Sequence, residues 1–125
     1  MRARSIFVAD DDTGISRLLD RILKLQQYDL DSVQSVSEAL SVLAYSSFDV
    51  HLLDYHFQDG TGLEIARFLR DMGSVAPIIL ITGYQTDDLE FDVNRLNIFR
   101  IIKKPFTAQK ISSFVREALM QTRAR

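Results

Sequence analysis

Three aspartates in a row, Asp10-Asp11-Asp12, close an apolar run near the start of the chain, and a fourth, Asp54, closes another. Two further polar residues stand in similar places: Thr82 follows the run Pro77 to Ile81, and Lys104 lies just past Ile98 to Ile102. Carboxylates brought together without a counterion cost several kcal/mol or take up protons instead. A divalent cation removes that cost. The chain has no Cys, and its two His residues lack metal-site spacing, so the donors on offer are oxygens. They suit a hard ion that keeps several waters and shares its shell with a phosphate, the usual behaviour of magnesium. An ammonium and a hydroxyl beside such an ion make a setting for a phosphoryl group, whose oxygens need charge neutralisation and hydrogen-bond donors more than any acid or base. Phosphoryl transfer is therefore the leading chemistry.

For these residues to meet, the runs that precede them must lie side by side and end at one edge. Ser5 to Ala9 has the character of a buried strand, and Ile15, Leu18, Leu19, Ile22 and Leu23 follow at helical spacing. Leu30 to Val33 is a weaker strand, after which Ser35 and Glu38 have capping-box spacing ahead of Val36, Ala39, Leu40, Leu43 and Ala44. Val50 to Leu53 is strand-like, Asp59-Gly60-Thr61-Gly62 reads as a loop, and Ile65, Phe68, Leu69 and Met72 mark a third helix. Pro77 to Ile81 is the clearest strand. A thin stripe of Leu89, Val93 and Leu96 predicts a helix from Asp87 to Leu96, with Asn97 as a left-handed terminator before a strand over Ile98 to Ile102. Ile111, Phe114, Val115, Ala118 and Leu119 mark the last helix. Five strands alternating with five helices on short loops predict an α/β fold, built from right-handed βα units around a parallel sheet covered on both faces. Ligands of such sheets bind beyond the carboxyl ends of the strands, where Asp10, Asp11, Asp54, Thr82 and Lys104 converge.

The chain of 125 residues fits a single domain, with 46% hydrophobic and 26% charged residues, near the globular average. Its longest apolar run is far below the ~18 residues of a membrane span, and the start lacks a signal-peptide core, so a cytoplasmic protein is expected. With 15 Lys+Arg against 17 Asp+Glu, the net charge of -2 gives no global field for nucleic acid.

The motifs Val8-Ala9-Asp10-Asp11-Asp12, Leu53-Asp54, Asp59-Gly60-Thr61-Gly62-Leu63, Ile81-Thr82-Gly83 and Lys104-Pro105-Phe106 resemble the receiver domain of two-component response regulators. No single motif is strong, but their order and separations span the chain from Ser5 to Leu119. The resemblance implies one receiver domain over 1–125, with a core of about 5–119, and a flavodoxin-like (βα)5 three-layer sandwich whose parallel strands run 2-1-3-4-5. It implies that Asp54 is the phosphoacceptor. Asp10 and Asp11 would form the acidic pair holding Mg2+, Asp11 directly and Asp10 mainly through water, with the backbone carbonyl of His56 as a further ligand. Thr82 and Lys104 would each meet a phosphoryl oxygen, and the Lys104-Pro105 peptide would be cis. The expected donor is a phosphohistidine of a sensor histidine kinase or phosphotransfer protein. The expected output is a conformational switch read by a downstream protein or by an effector domain removed from this chain, with room for a phosphorylation-linked homodimer. Such a domain assists its own phosphorylation and dephosphorylation and is otherwise no enzyme.

The sequence departs from the family pattern in places. Ile101 stands where many receivers have a switching tyrosine or phenylalanine, and strand alternation would put Phe99 on the same face. Gln58 replaces a common proline, which leaves the loop after Asp54 less constrained when unfolded. Asp87, Asp88, Glu90 and Asp92 make one segment acidic, so a partner there would be basic. Other polar residues have plain structural explanations: Asp12 as a helix N-cap, Asp87 and Asp88 in a first turn, Lys103 as a solvated neighbour, His51 and His56 as packed or surface residues, and Arg116, Arg123 and Arg125 as a basic helix end. Three rival functions fit these residues less well. Asp10-Asp11-Asp12-Thr13 is read as the Asp-x-Asp-x-Thr motif of haloacid dehalogenase phosphohydrolases, with Asp10 as nucleophile and Asp12 as acid/base, but the late acidic pair Asp87-Asp88 precedes Lys104, and Asp54 is left idle. A nucleotide or flavin carrier needs a phosphate loop where the three aspartates would repel an anion. A degenerate docking receiver is opposed by the intact site residues.

Overall fold

The computed structural model describes residues 3–83 and 88–123. Asp87 and Arg125 fall outside these residues. The elements run β1 (Ser5–Ala9), α1 (Thr13–Lys24), β2 (Asp29–Val33), α2 (Val36–Leu43), β3 (Val50–Asp54), β4 (His56–Phe57), β5 (Gly60–Thr61), α3 (Gly62–Asp71), β6 (Ile78–Thr82), α4 (Asp88–Arg95), β7 (Arg100–Lys103) and α5 (Ala108–Arg123). Five strands form one parallel sheet in the order β2-β1-β3-β6-β7. Leaving out the short pair β4-β5, this is the expected 2-1-3-4-5 order.

Alternation along the central strands divides the core into two layers. Phe7, Ala9, Leu53, Ile78 and Leu80 pack with α2, α3 and α4, whereas Ile6, Val8, Val50, Leu52, Ile79 and Ile81 pack with α1 and α5. β3 and β6 are buried along their whole length, because both faces are covered and both edges paired. Each large apolar side chain fully buried here contributes roughly 1.5–3 kcal/mol. Edge strands β2 and β7 are mostly exposed, with Val33 and Ile102 as their buried residues.

Local chemistry sets the helix ends. Asp12 caps α1 as expected, its Oδ1 accepting the N–H groups of Gly14 and Ile15 at 2.9 and 3.1 Å. Ser35 caps α2, but Glu38 completes only half of a capping box, since its carboxylate takes the N–H of Gln34 rather than that of Ser35. Asn97 adopts φ 53° after α4. The Ile98 N–H then turns back to the Val93 carbonyl at 2.9 Å. That bond closes the helix, so the strand expected from Ile98 begins two residues later.

The expected loop after Asp54 holds a small antiparallel ladder, with His56 opposite Thr61 and Phe57 opposite Gly60. Phe99 also departs from expectation. It precedes β7 and packs on the α1/α5 layer that contains Ile102, under the Arg100 guanidinium 4.7 Å from its ring centre. Alternation fails there because the strand has not yet begun. Ile101, inside the strand, is 39% exposed. Among the described residues, no helix is long and apolar enough to cross a membrane.

Candidate functional site

The carboxyl ends of β1, β3, β6 and β7 meet at one edge of the sheet. Asp10 follows β1, and its backbone N–H still bonds to the Val33 carbonyl at 3.1 Å, which ties the end of β1 to β2. Asp54 is the last residue of β3 and pairs in register with Ile81, one residue before Thr82. Thr82 is buried at the end of β6, and its carbonyl accepts the Lys104 N–H at 2.8 Å, which anchors the segment leaving β7. The Lys104-Pro105 peptide is cis, as the resemblance implied.

These placements bring the expected residues together. Carboxylate oxygens of Asp10, Asp11 and Asp54 lie within 4.8 Å of one another. Lys104 Nζ is 3.1 Å from Asp54 Oδ1 and 3.7 Å from Asp10 Oδ2. Asp54 Oδ1 also accepts the Tyr55 N–H at 3.0 Å. Two of the three carboxylates thus share one ammonium. Asp10 is 1% exposed, and its Oδ2 has no hydrogen-bond partner, an unmet acceptor of the kind that a cation satisfies.

Electrostatics follow from this crowding. Burial is the main cause that pushes the Asp10 carboxyl up to about 6, opposed by the Asp12 N–H and reinforced by the Asp54 charge. Burial also raises Asp54, while Lys104 and the Tyr55 N–H pull it back. Asp11 is exposed. An oxygen-rich cluster with one open member, one orphaned acceptor and raised carboxyl groups fits a hard divalent ion.

The Asp59-Gly60-Thr61-Gly62 segment after Asp54 does more than turn the chain. Gly62 donates its N–H to the Tyr55 carbonyl at 2.8 Å, and a Cβ on it would overlap the Asp54 carbonyl oxygen. Only glycine lets α3 start this close to the end of β3. Its signal was the Gly60-Thr61-Gly62 spacing. Asp59 points away from the cluster and bonds to α2.

Asp12 is committed to capping α1, and Gly14 rather than threonine stands at the fifth position of an Asp-x-Asp-x-Thr motif. Both facts weigh against the phosphohydrolase reading. His51 is buried against both Phe7 and Phe48 at the other end of β3, and the exposed His56 ring lies edge-on to Tyr55. Neither ring joins the cluster.

The response regulator receiver domain family matches residues 6–116. The chain belongs to that family. It is similar to the response regulator protein PilR of Pseudomonas aeruginosa, 28% identical over 95% of this chain and 27% of that protein. It is also similar to the sensory transduction protein LytR of Staphylococcus saprophyticus, 30% identical over 95% of this chain and 48% of that one. The chain therefore spans about a quarter to a half of the length of these curated relatives. Among solved structures, a CheY-like receiver domain protein from Methanospirillum hungatei superposes with a TM-score of 0.92 at 21% identity, covering 98% of both chains. TrrA from Thermotoga maritima, solved in complex with Mg(2+)-BeF, superposes with a TM-score of 0.81 at 28% identity over 93% of this chain and 99% of that one. The chain is a receiver domain of two-component response regulators. Phosphotransfer is the function of this family, which consists of signalling domains rather than classical enzymes, and its members bind Mg2+ in an acidic cluster.

Proposed function

We propose that residues 1–125 act as one receiver unit in which Asp54 accepts a phosphoryl group from a phosphohistidine. The observation that carries this reading is the approach of Lys104 Nζ to Asp54 Oδ1 at 3.1 Å, inside a cluster that also holds Asp10 and Asp11. Asp10, Asp11, Asp54 and the His56 backbone carbonyl would hold Mg2+, which supplies positive charge to the phosphoryl oxygens. Support comes from the orphaned Asp10 Oδ2 and from the Mg(2+)-BeF complex of the similar TrrA.

Lys104 and the Tyr55 N–H both engage Oδ1 of Asp54, so Oδ2 is the oxygen left to attack phosphorus. The phosphorus–nitrogen bond of the donor breaks as the phosphorus–oxygen bond forms, and the imidazole leaves with the electron pair. Lys104 then balances charge on the transferred group, and Thr82 donates to one of its oxygens. Later attack by water releases phosphate and restores the carboxylate. Phosphorylation biases a conformational equilibrium through these contacts at Thr82 and Lys104.

The donor is a sensor histidine kinase or phosphotransfer protein in the cytoplasm. The reader of the switch is a downstream protein or an effector domain of a longer chain, as the output domains of the relatives suggest, and a phosphorylation-linked homodimer is compatible with the fold. The test is phosphoryl incorporation from acetyl phosphate with and without Mg2+. Wild type should be labelled only with the metal, and Asp54→Asn should not be labelled under either condition. Labelling of Asp54→Asn at the wild-type level would end this reading.

A further inference from the structure

Asp59 lies at the tip of the β4-β5 hairpin, three residues beyond His56, yet its carboxylate is spent on a distant part of the chain. Oδ1 accepts the Val36 N–H at 2.9 Å and Oδ2 accepts the Ser37 N–H at 3.0 Å. Both donors belong to the first turn of α2, where backbone N–H groups have no partner inside the helix and negative charge is favoured. The Ser35 hydroxyl takes the next donor, the Glu38 N–H, at 3.0 Å. One half of this cap is local, and the other half arrives from 23 residues away. The two backbone hydrogen bonds hold the Asp59 carboxyl below its ordinary range, in keeping with a carboxylate used as an acceptor.

The cap is better placed to serve the hairpin than the helix. β4 and β5 are two residues each, too short to hold their place by pairing alone. The base of the hairpin is fixed where Gly62 bonds to the Tyr55 carbonyl, and the Asp59 carboxylate pins the tip to α2. Between these two fixed points runs the backbone of His56.

We propose that Asp59 is a positioning residue for the metal: by fastening the hairpin to the first turn of α2, it holds the His56 backbone where its carbonyl completes the set offered by Asp10, Asp11 and Asp54. This rests on the reading of those four groups as the metal's ligands. Supporting residues around a metal typically affect affinity by about 10–100-fold, and Asp59 falls at the lower end because it acts through three residues of backbone.

The experiment is calorimetric titration of the chain with Mg2+ for wild type, Asp59→Ala, Asp59→Asn, Ser35→Ala and Asp11→Asn, with circular dichroism confirming folding. Asp59→Ala should weaken Mg2+ binding about tenfold. Asp59→Asn should weaken it less, because its one carbonyl oxygen keeps one of the two bonds, and it carries the test should the alanine variant unfold. Ser35→Ala removes a cap from the same turn without touching the hairpin, so its affinity should stay at the wild-type value. Wild-type affinity in both Asp59 variants, or an equal loss in Ser35→Ala, overturns the proposal while leaving the metal reading intact. Absence of Mg2+ binding in wild type, or undiminished binding in Asp11→Asn, overturns both.

Discussion

The two ends of the sheet treat buried charge in opposite ways. At the end away from Asp54, Arg70 donates to the carbonyls of Leu96, Ser74, Ala76 and Asn97 at 2.8–3.1 Å, fastening the close of α4 to the segment that enters β6. His51 nearby is buried, with its Nδ1 3.3 Å from the Pro77 carbonyl and its ring held below its ordinary range, to about 4, chiefly by burial. At the Asp54 end, three carboxylates cluster, Lys104 pairs with two of them, and Asp10 keeps an unmet oxygen. One end uses its polar groups to hold the fold; the other leaves like charges crowded and one buried oxygen unmet.

Substitutions should separate the two ends. The largest expected effect is on chemistry: Asp54→Asn abolishes phosphorylation by acetyl phosphate while leaving the urea midpoint unchanged or higher, because it removes a like charge from the cluster. Arg70→Ala should do the reverse. It costs about 3 kcal/mol of unfolding free energy through lost charge-assisted hydrogen bonds, with wild-type labelling at temperatures where the variant is folded. A loss of labelling in folded Arg70→Ala would erase the distinction.

Acid sharpens the contrast, because the two buried groups have opposite linkage. The His51 pKa falls from 6.5 to about 4 on folding, so its share of stability is complete above pH 6.5 and is lost as pH falls toward 4. The Asp10 pKa rises from 3.8 to about 6, so its share is complete below pH 3.8 and is lost as pH rises through 6. Each amounts to at most about 3 kcal/mol, and across this window they largely cancel in the wild type. Asp10→Asn should therefore unmask a fall in stability with acid, and His51→Phe, which keeps a ring against Phe7 and Phe48, should unmask a rise. Urea unfolding across the window reads both. Identical slopes in the two variants would contradict these assignments.

The smallest effect concerns the metal. Without it, Asp10→Asn should be about 2 kcal/mol more stable than wild type at neutral pH; saturating Mg2+ should narrow that gap, since its ligands must be ionised and bind only in the folded chain. A gap that Mg2+ leaves unchanged would mean that the cluster does not hold the ion.

Much of this was legible in the chain itself. Apolar runs closed by Asp10, Asp54, Thr82 and Lys104 announce both the strands and the edge at which their polar ends meet, since a parallel sheet delivers all its carboxyl ends to one side. Asp12 and Asn97 likewise did what their types and places suggested. The misses share a cause. The β4-β5 ladder is too short to show periodicity, and the start of β7 was misplaced because the Ile98 N–H closes a helix instead of joining the sheet. Phe99 followed the core rather than an alternation that had not begun. The bonds of Asp59 to α2 and of Arg70 to Leu96 join residues 23 and 26 apart, and no local pattern encodes them.

The most direct test is to treat the chain with acetyl phosphate and Mg2+, trap the acyl phosphate by borohydride reduction and map the reduced residue by peptide mass. Reduction at residue 54 alone, absent without metal, is the expected result. Reduction at residue 10 or 12 would contradict it, since the nucleophile would then lie at the end of β1 and not of β3.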